Sequence, residues 1–289
     1  MTIPIKTLKT GFSMPVFGLG TWQMGGRETR NFQNDDRRDI LAIQKAISLG
    51  LTHIDTAESY ANGYSETLLG QAIAGYDRSK LFLTTKIHAD HLKYNDVLKS
   101  CQASLKRMNT DYLDLYLIHS PSMQVPIQET LRAMDKLVQD GLVKNIGVSN
   151  FKTDRLKNAQ QYTNNKIVIN QVYYNLLMRE PEHEGLLEYC QQNDIFLEAY
   201  RPLEKGMLLD NQSELITDLA KKYNKTPSQI AINWLISQKN VLTLFKTSSI
   251  EHLEENIGSL GWEMNQEDIE KLRKNFPNQI MVPENLPLK

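Results

Sequence analysis

The chain has 289 residues, a formal net charge of −1 at pH 7 and a hydrophobic content of 40%, as in ordinary globular proteins with a large core. It contains neither a block of basic residues nor 18 consecutive apolar residues, which argues against a nucleic-acid-binding or membrane-spanning protein. The first residues, MTIPIKTLKTGF, include no run long enough for a signal peptide, and two cysteines are too few for a disulfide framework. We therefore expect a cytoplasmic protein with reduced thiols at Cys101 and Cys190.

Strand-like and helix-like segments alternate along the whole chain. A short hairpin is predicted first, within residues 1–15 and around Gly11. Eight candidate strands follow, and they end near Gly20, Asp55, Lys86, His119, Asn150, Gln171, Tyr200 and Lys246. Amphipathic helices are predicted between them from apolar spacing and from capping residues. The predicted helix starts are Asp35 or Asp36, Ser65, Asn95, Pro126 and Thr226, and the predicted ends include Gly50 and Gly141.

Eight strands alternating with helices in fewer than 300 residues predict a (β/α)8 TIM barrel, of the α/β class, preceded by the short N-terminal β-hairpin. A doubly wound sheet fits less well, because the first strand is followed by GLGTWQMGG, whose glycines do not have the G-x-G-x-x-G spacing. No linker, composition shift or internal repeat divides the chain. We expect a single domain over residues 1–289.

Four polar residues lie at or just after the ends of three successive predicted strands: Asp55, Tyr60, Lys86 and His119. In a barrel the carboxyl ends of the strands meet at one face, so these side chains are expected to lie together. A phenol, an ammonium beside it, a carboxylate to hold the ammonium and an imidazole can together protonate a carbonyl oxygen. Each residue taken singly could equally have an ordinary structural role, so the functional prediction depends on their joint placement.

Eight stretches of the sequence carry a resemblance to a known family. They are GLGTW (18–22), HIDTAESYANGYSE (53–66), LTTK (83–86), LDLYLIHSP (113–121), GLVKNIGVSNF (141–151), INQVYYN (169–175), AYRPL (199–203) and KTSSIEHLEEN (246–256). In their order and spacing the chain resembles the aldo-keto reductase superfamily, in particular its bacterial NADP-dependent members. The resemblance implies a (β/α)8 barrel that reduces aldehydes or ketones reversibly with NADPH.

The resemblance also implies roles for the four polar residues. Tyr60 corresponds to the general acid, Lys86 to the cation that lowers the pKa of its phenol, and Asp55 to the anion that holds Lys86. His119 is expected to donate a hydrogen bond to the substrate oxygen, and Trp22 to form an aromatic wall of the pocket. The expected substrate contacts are therefore Trp22, Tyr60 and His119.

The resemblance implies a dinucleotide bound across the barrel mouth, expected to be NADP, with NAD possible. The contacts expected at the nicotinamide are Trp22, Ser149, Asn150, Gln171 and Tyr200. Further cofactor contacts expected at the barrel mouth are Gly20, Thr21, Asp55, Arg201 and Leu203. Those expected near the adenosine and its 2′-phosphate are Lys246, Thr247, Ser248, His252, Glu255 and Asn256.

Two positions depart from the family pattern. His252 stands where the pattern has an arginine, which predicts a weaker preference for NADPH over NADH. Arg201 stands where the pattern has serine; it either reaches the pyrophosphate or is a surface charge.

Other interpretations remain open at this stage. A regulatory subunit that binds the cofactor but turns over slowly, as in channel-associated relatives, would keep the same residues. An unrelated barrel enzyme with a metal site is disfavoured, because only His119 among the six histidines clearly ends a strand.

We expect no bound metal and a monomeric protein. The polar first loop (23–38) and the tail (278–289) predict an open mouth for small carbonyl compounds, and Arg27 or Arg30 would favour acidic or sugar substrates.

Overall fold

The computed structural model describes residues 3–206, 213–276 and 288–289, so the tail discussed above lies mostly outside the described residues. Eight parallel strands form a closed barrel in chain order, with the last strand pairing with the first. The barrel strands are β3 (Phe17–Gly20), β4 (His53–Asp55), β5 (Phe82–Ile87), β6 (Leu115–Ile118), β7 (Ile146–Ser149), β8 (Ile167–Tyr173), β9 (Phe196–Tyr200) and β10 (Val241–Phe245). This confirms the predicted (β/α)8 barrel.

The predicted N-terminal hairpin is also confirmed. Its strands β1 (Ile5–Thr7) and β2 (Ser13–Pro15) pair antiparallel in a separate sheet. Between them Phe12 packs against Phe82 and Phe196, the first residues of their barrel strands, at ring-centroid distances of 6.2 and 5.9 Å. The hairpin therefore covers the amino-terminal end of the barrel and leaves the opposite end available for a site.

The helices lie between the strands, as expected for this fold. Within the described residues they are α1 (Asp36–Ser48), α2 (Tyr64–Ile73), α3 (Tyr94–Met108), α4 (Ile127–Gln139), α5 (Thr153–Gln160), α6 (Glu180–His183), α7 (Leu186–Gln192), α8 (Glu214–Tyr223), α9 (Pro227–Ile236), α10 (Ile250–Ile257) and α11 (Gln266–Asn275). None of them is both long and apolar enough to cross a lipid bilayer.

Several predicted helix ends are confirmed. Asp35 caps α1 by accepting a hydrogen bond from the Arg38 backbone, and Pro126 precedes α4. Thr226 and Gln229 form the reciprocal capping box of α9, with a proline at its first turn. Cys101 lies buried and free on α3, and burial raises the pKa of its thiol to about 12, so that it behaves as a core residue.

Two predicted caps and one strand end were wrong. The α2 helix begins one residue before Ser65, whose hydroxyl instead donates to Thr21 in the interior. The α3 helix begins before Asn95, because the Glu129 carboxylate accepts the Tyr94 backbone N–H and replaces a local cap. Strand β8 continues two residues past Gln171, since its pairing with β9 extends that far.

Candidate active site

Tyr60, Lys86 and Asp55 form a connected group at the carboxyl end of the barrel. The Lys86 ammonium donates to Asp55 Oδ1 at 2.5 Å and to the Thr56 carbonyl at 2.8 Å. It also lies 3.3 Å from the Tyr60 hydroxyl. Lys86 and Asp55 are fully buried, whereas the Tyr60 ring is partly exposed. The phenol is thus the member of this group that a molecule at the barrel mouth can reach.

An unusual turn presents Tyr60. After it, Ala61 and Asn62 have φ values of 51° and 53°, and Gly63 continues in the left-handed region before α2 begins. Such backbone in non-glycine residues costs free energy and persists where the surroundings fix it. Here the Ala61 N–H donates to the Arg27 carbonyl at 2.6 Å, which ties the turn to the first loop. The first loop therefore helps to hold Tyr60 over the ion pair.

The charges around the phenol act in opposite directions. Burial alone lowers the pKa of Lys86, but the Asp55 carboxylate and Tyr60 raise it above its usual value, so the ammonium stays charged. Burial and Asp55 raise the pKa of Tyr60, although Lys86 lowers it in part. Lys86 therefore acts on the Tyr60 pKa in the predicted direction, but the prediction that this pKa is lowered overall was wrong. Burial outweighs the ammonium, and the phenol keeps its proton.

His119 and Trp22 flank Tyr60. The Tyr60 ring lies 5.7 Å from the His119 ring and 5.0 Å from the Trp22 ring, centroid to centroid. His119 Nδ1 lies 3.2 Å from the Ser59 hydroxyl. Burial, aided by Lys86, lowers the pKa of His119 to about 3, so its imidazole is neutral near pH 7. If Ser59 donates to Nδ1, the imidazole carries its hydrogen on Nε2 and can donate it.

Next to this group, four residues predicted at the nicotinamide end share one hydrogen-bond network. The Tyr200 hydroxyl donates to Asn150 Oδ1 at 2.9 Å, and Asn150 Nδ2 donates to the His119 carbonyl at 3.1 Å. The Ser149 hydroxyl donates to the Gln171 carbonyl at 2.8 Å. Tyr173 stacks on one face of the Tyr200 ring at a centroid distance of 5.3 Å, and Tyr200 is partly exposed.

The remaining cofactor contacts predicted at the barrel mouth differ in where the structure places them. Gly20 ends β3 beside Asp55, and the buried Thr21 receives a hydrogen bond from Ser65, in the interior. Arg201 has a φ of 56° and its guanidinium lies over the Tyr173 ring at 5.2 Å. Leu203 is half-buried and packs against the core. The structure thus brings Gly20 and Arg201 to the group, while the side chains of Thr21 and Leu203 contribute to packing.

At the predicted 2′-phosphate end, the hydroxyls already have partners within the protein. The Ser248 hydroxyl donates to Asp39 Oδ1 at 2.8 Å, and the Thr247 hydroxyl accepts the Ser249 backbone N–H at 3.0 Å. Arg38 Nε donates to the Ser248 carbonyl at 3.2 Å. The exposed Lys246 completes this group. Loss of solvent around its ammonium and the charge of Arg38 lower the pKa of Lys246, and Asp39 opposes the shift.

The three other residues predicted at the adenosine lie on α10. His252 is exposed in the first turn, where its backbone N–H donates to the capping Ser249 hydroxyl. Glu255 is half-buried, and Asn256 is buried, with 5% of its surface exposed. All three are therefore on the helix that follows the Lys246–Ser249 turn, as expected.

Sequence reasoning missed four residues. Arg38 and Asp39 lie in the first turn of α1, far from residue 248 in the chain, and only closure of the barrel brings them to Ser248. His53 and Glu198 lie fully buried inside the barrel beneath Asp55. The sequence signal for the second pair was a charged or titratable residue two positions before a strand end, since alternate strand residues share one face.

Comparisons of the sequence and of the structure with known proteins point to the same family. The family model described as the aldo/keto reductase family matches residues 16–275. Methylglyoxal reductase YeaE of Escherichia coli is 35% identical over 269 residues, an alignment that covers 92% of each chain.

Two solved structures are similar over nearly the whole chain. The thermostable aldo-keto reductase Tm1743, solved with the inhibitor epalrestat, is 40% identical with a TM-score of 0.91, covering 94% of this chain and 99% of that one. An aldo/keto reductase of Klebsiella pneumoniae, solved with NADP and acetate, is 33% identical with a TM-score of 0.85, covering 100% of this chain and 99% of that one.

Proposed function

Because this chain belongs to the aldo/keto reductase family, we propose that it reduces a small aldehyde or ketone to the alcohol with NADPH, and that Tyr60 supplies the proton. The observation that carries the proposal is the Tyr60 hydroxyl, 3.3 Å from a Lys86 ammonium that Asp55 holds in place at the barrel mouth. The protein is in this view an oxidoreductase that acts reversibly on the CH–OH group of alcohols with NADP as acceptor.

The chain's own residues perform the proton half of the reaction. His119 and Tyr60 both donate hydrogen bonds to the carbonyl oxygen and orient it. As negative charge develops on this oxygen, Tyr60 transfers its proton, and the Lys86 ammonium stabilises the phenolate that remains. The raised Tyr60 pKa keeps the phenol protonated at neutral pH, and the Lys86 charge stabilises the phenolate that the transfer leaves. In alcohol oxidation the same groups act in reverse.

The residues present fit a nicotinamide dinucleotide, whose chemistry is to supply the hydride. Ser149, Asn150 and Gln171 offer amide and hydroxyl groups that suit a carboxamide, and Tyr200 presents one ring face. At the other end Lys246 and Arg38 supply positive charge for a phosphate. NADP-containing relatives support the same cofactor for this chain.

A spectrophotometric assay tests the proposed reaction. The chain is incubated with NADPH and, in turn, methylglyoxal, an aromatic aldehyde, a simple ketone and an aldose, and NADPH oxidation is followed. Methylglyoxal heads the panel because a relative is named for reducing it. Turnover with at least one small carbonyl compound is expected. Tight NADPH binding without turnover on any of them would favour the regulatory cofactor-binding subunit instead.

Selection of an acidic substrate has less support from Arg30 than its charge alone would indicate. Arg30 donates to the Tyr64 hydroxyl at 2.9 Å and lies over the Tyr64 ring. The charge of Arg30 is therefore engaged within the protein, which weakens the case that this residue selects an acidic substrate.

Replacing His119 by glutamine is expected to lower kcat/KM roughly 10²-fold, because a prepared donor to the carbonyl oxygen is lost. Since the pKa of His119 is lowered to about 3, its imidazole is neutral above that pH. The ratio of wild-type to variant kcat/KM should therefore stay constant between about pH 5 and 7. A wild-type inflection near the ordinary histidine pKa that disappears in the variant would contradict this expectation.

The cofactor preference depends on Asp39. A 2′-phosphate at Ser248 has to displace the Asp39 carboxylate from the Ser248 hydroxyl and remain beside its negative charge. Asp39→Asn removes the charge and keeps an acceptor for the Gly25 N–H, which donates to Asp39 at 3.0 Å. We expect the variant to gain about 1 kcal/mol in NADPH binding, roughly fivefold, with NADH little changed. The measurement is kcat/KM for both cofactors.

Asp36→Asn serves as the control for the cofactor experiment, since it removes the same charge from the same helix. Asp36 accepts from the Tyr64 hydroxyl rather than from Ser248. Equal gains in NADPH binding in the two variants would mean that the effect comes from net charge and not from the contact with Ser248. A gain for NADH in Asp39→Asn that equals the gain for NADPH would exclude Asp39 as a determinant of phosphate recognition.

A further inference from the structure

Glu198 is a fully buried carboxyl group inside the barrel, next to the site but without a part in the chemistry above. It lies on β9 directly opposite Gln171 on β8, and its Oε2 accepts a hydrogen bond from Gln171 Nε2 at 2.7 Å. Gln171 Nε2 also donates to Asp55 Oδ2 at 2.9 Å. Both hydrogens of the Gln171 amide nitrogen are therefore directed into the barrel, towards two carboxyl groups.

This arrangement determines which way the Gln171 amide faces. In a planar amide the oxygen points away from the nitrogen, so Oε1 is turned from the two carboxyl groups. The opposite orientation would place the amide oxygen against the Asp55 carboxylate, which pairs with the Lys86 ammonium, and the two acceptors would repel each other. Within the part of the chain that is described, no hydrogen bond uses Oε1.

We propose that Glu198 is a positioning residue: together with Asp55 it fixes the Gln171 amide so that Oε1 can accept a hydrogen bond from the amide nitrogen of the nicotinamide carboxamide. This inference rests on the proposed function, since it takes a nicotinamide dinucleotide as the ligand. Glu198 itself does not touch the ligand; it acts through Gln171. Without the second acceptor, Asp55 would still disfavour the flipped amide, but it would hold only one of the two Nε2 hydrogens, and the amide would be less closely fixed.

The other side of Glu198 faces His53, which explains how the buried carboxyl is tolerated. Glu198 Oε1 and His53 Nδ1 lie 3.6 Å apart, and neither has a hydrogen-bond partner within the described chain. Burial, with Asp55, raises the pKa of Glu198 to about 8, and burial lowers that of His53 to about 3. A protonated Glu198 facing a neutral imidazole needs no buried charge and still accepts from Gln171 at Oε2.

Two features of the surroundings support this assignment. Gly18 makes room for the imidazole, because a Cβ at residue 18 would lie 2.3 Å from His53 Nδ1. The potential ligand atoms of His53, Asp55 and Glu198 lie within 4.8 Å of one another, close enough for a metal ion. However, Asp55 already contacts the Lys86 ammonium, whose charge would oppose a second cation. The group is therefore better suited to holding the Gln171 amide.

The test compares the binding of NADP with that of adenosine 2′,5′-bisphosphate, which lacks the nicotinamide, by calorimetry. The variants are Glu198→Met, which removes the acceptor, Glu198→Gln, which keeps an acceptor oxygen, and Gln171→Met alone and combined with Glu198→Met. We expect Glu198→Met to weaken NADP binding roughly fivefold and to leave the bisphosphate unchanged. Glu198→Gln should bind NADP like the wild type, and the double variant should bind like Gln171→Met.

Each other outcome counts against the inference. Equal weakening of both ligands, unchanged NADP binding in Glu198→Met, or additive effects in the double variant would overturn it. So would a Glu198→Met protein that does not fold, or failure of Glu198→Gln to restore binding, since Glu198 would then serve the core. A wild-type protein that binds the bisphosphate but not NADP would instead overturn the proposed function, so the two failures are distinguishable.

Discussion

Replacing Tyr60 by phenylalanine is expected to lower kcat for carbonyl reduction by about 10²–10⁴-fold, the range found when a general acid is removed. The ring and its contact with Trp22 remain, so the shape of the pocket is kept. The lost hydroxyl is the donor that lies 3.3 Å from Lys86 and faces the barrel mouth. Steady-state kinetics with NADPH and the best carbonyl substrate, together with NADPH binding by fluorescence, provide the measurement. NADPH affinity should change little.

Tyr76→Phe is the matched control for Tyr60→Phe. Tyr76 is exposed in the turn that precedes the amino-terminal end of β5, whereas the site lies at the carboxyl ends of the strands, and Tyr76→Phe loses the same atom. Its kcat should equal that of the wild type. Turnover by Tyr60→Phe within a few-fold of wild type would assign the proton transfer to another group, with His119 the first to examine.

Lys86→Met is expected to reduce both activity and stability. It leaves the Asp55 carboxylate buried with no opposite charge, and breaking a buried ion pair in this way costs about 3–5 kcal/mol. The phenolate formed at Tyr60 also loses the ammonium that stabilises it, so kcat should fall by at least about 10²-fold. Urea denaturation measures the free energy of unfolding, and the NADPH assay measures kcat.

Adding Asp55→Asn separates the two effects of Lys86→Met. The neutral amide removes the uncompensated charge, so the double variant should recover much of the lost free energy of unfolding. Its kcat should remain as low as that of Lys86→Met, because no cation faces the phenol. Recovery of activity along with stability would mean that Lys86 acts on the fold and has no electrostatic role in the reaction.

The sequence predicted the barrel correctly because its signals are local and repeat eight times. Each strand is a short apolar run, and ends such as Asp35 and Thr226 have caps that act within three residues. The failed caps had non-local causes. Ser65 is used by Thr21 across the interior, and the start of α3 is satisfied by Glu129 from the next helix. Contacts between distant segments are not visible in a local pattern.

The candidate site was also predicted in part from the sequence. Asp55, Tyr60, Lys86 and His119 were found because strand ends of a barrel converge, and the structure does bring them together. The direction of the Tyr60 pKa was not predictable, because it depends on how burial compares with the Lys86 charge, and burial is a property of the fold. Asp39 was missed for a related reason: its partner Ser248 is 209 positions away.

The first and last strands of the barrel meet at a seam that the adenosine end of the site straddles. Across it Asp39 receives the Ser248 hydroxyl, Arg38 reaches the Ser248 carbonyl, and Lys45 pairs with Glu254 at 2.9 Å. A nucleotide bound as proposed would contact both sides of this seam, so it can be held only by the folded protein, in which α1 and the Ser248 turn lie together. At a concentration 100 times Kd such a ligand adds about 2.7 kcal/mol to the free energy of unfolding. The rate at which proteases degrade the protein should therefore fall as the cofactor concentration rises.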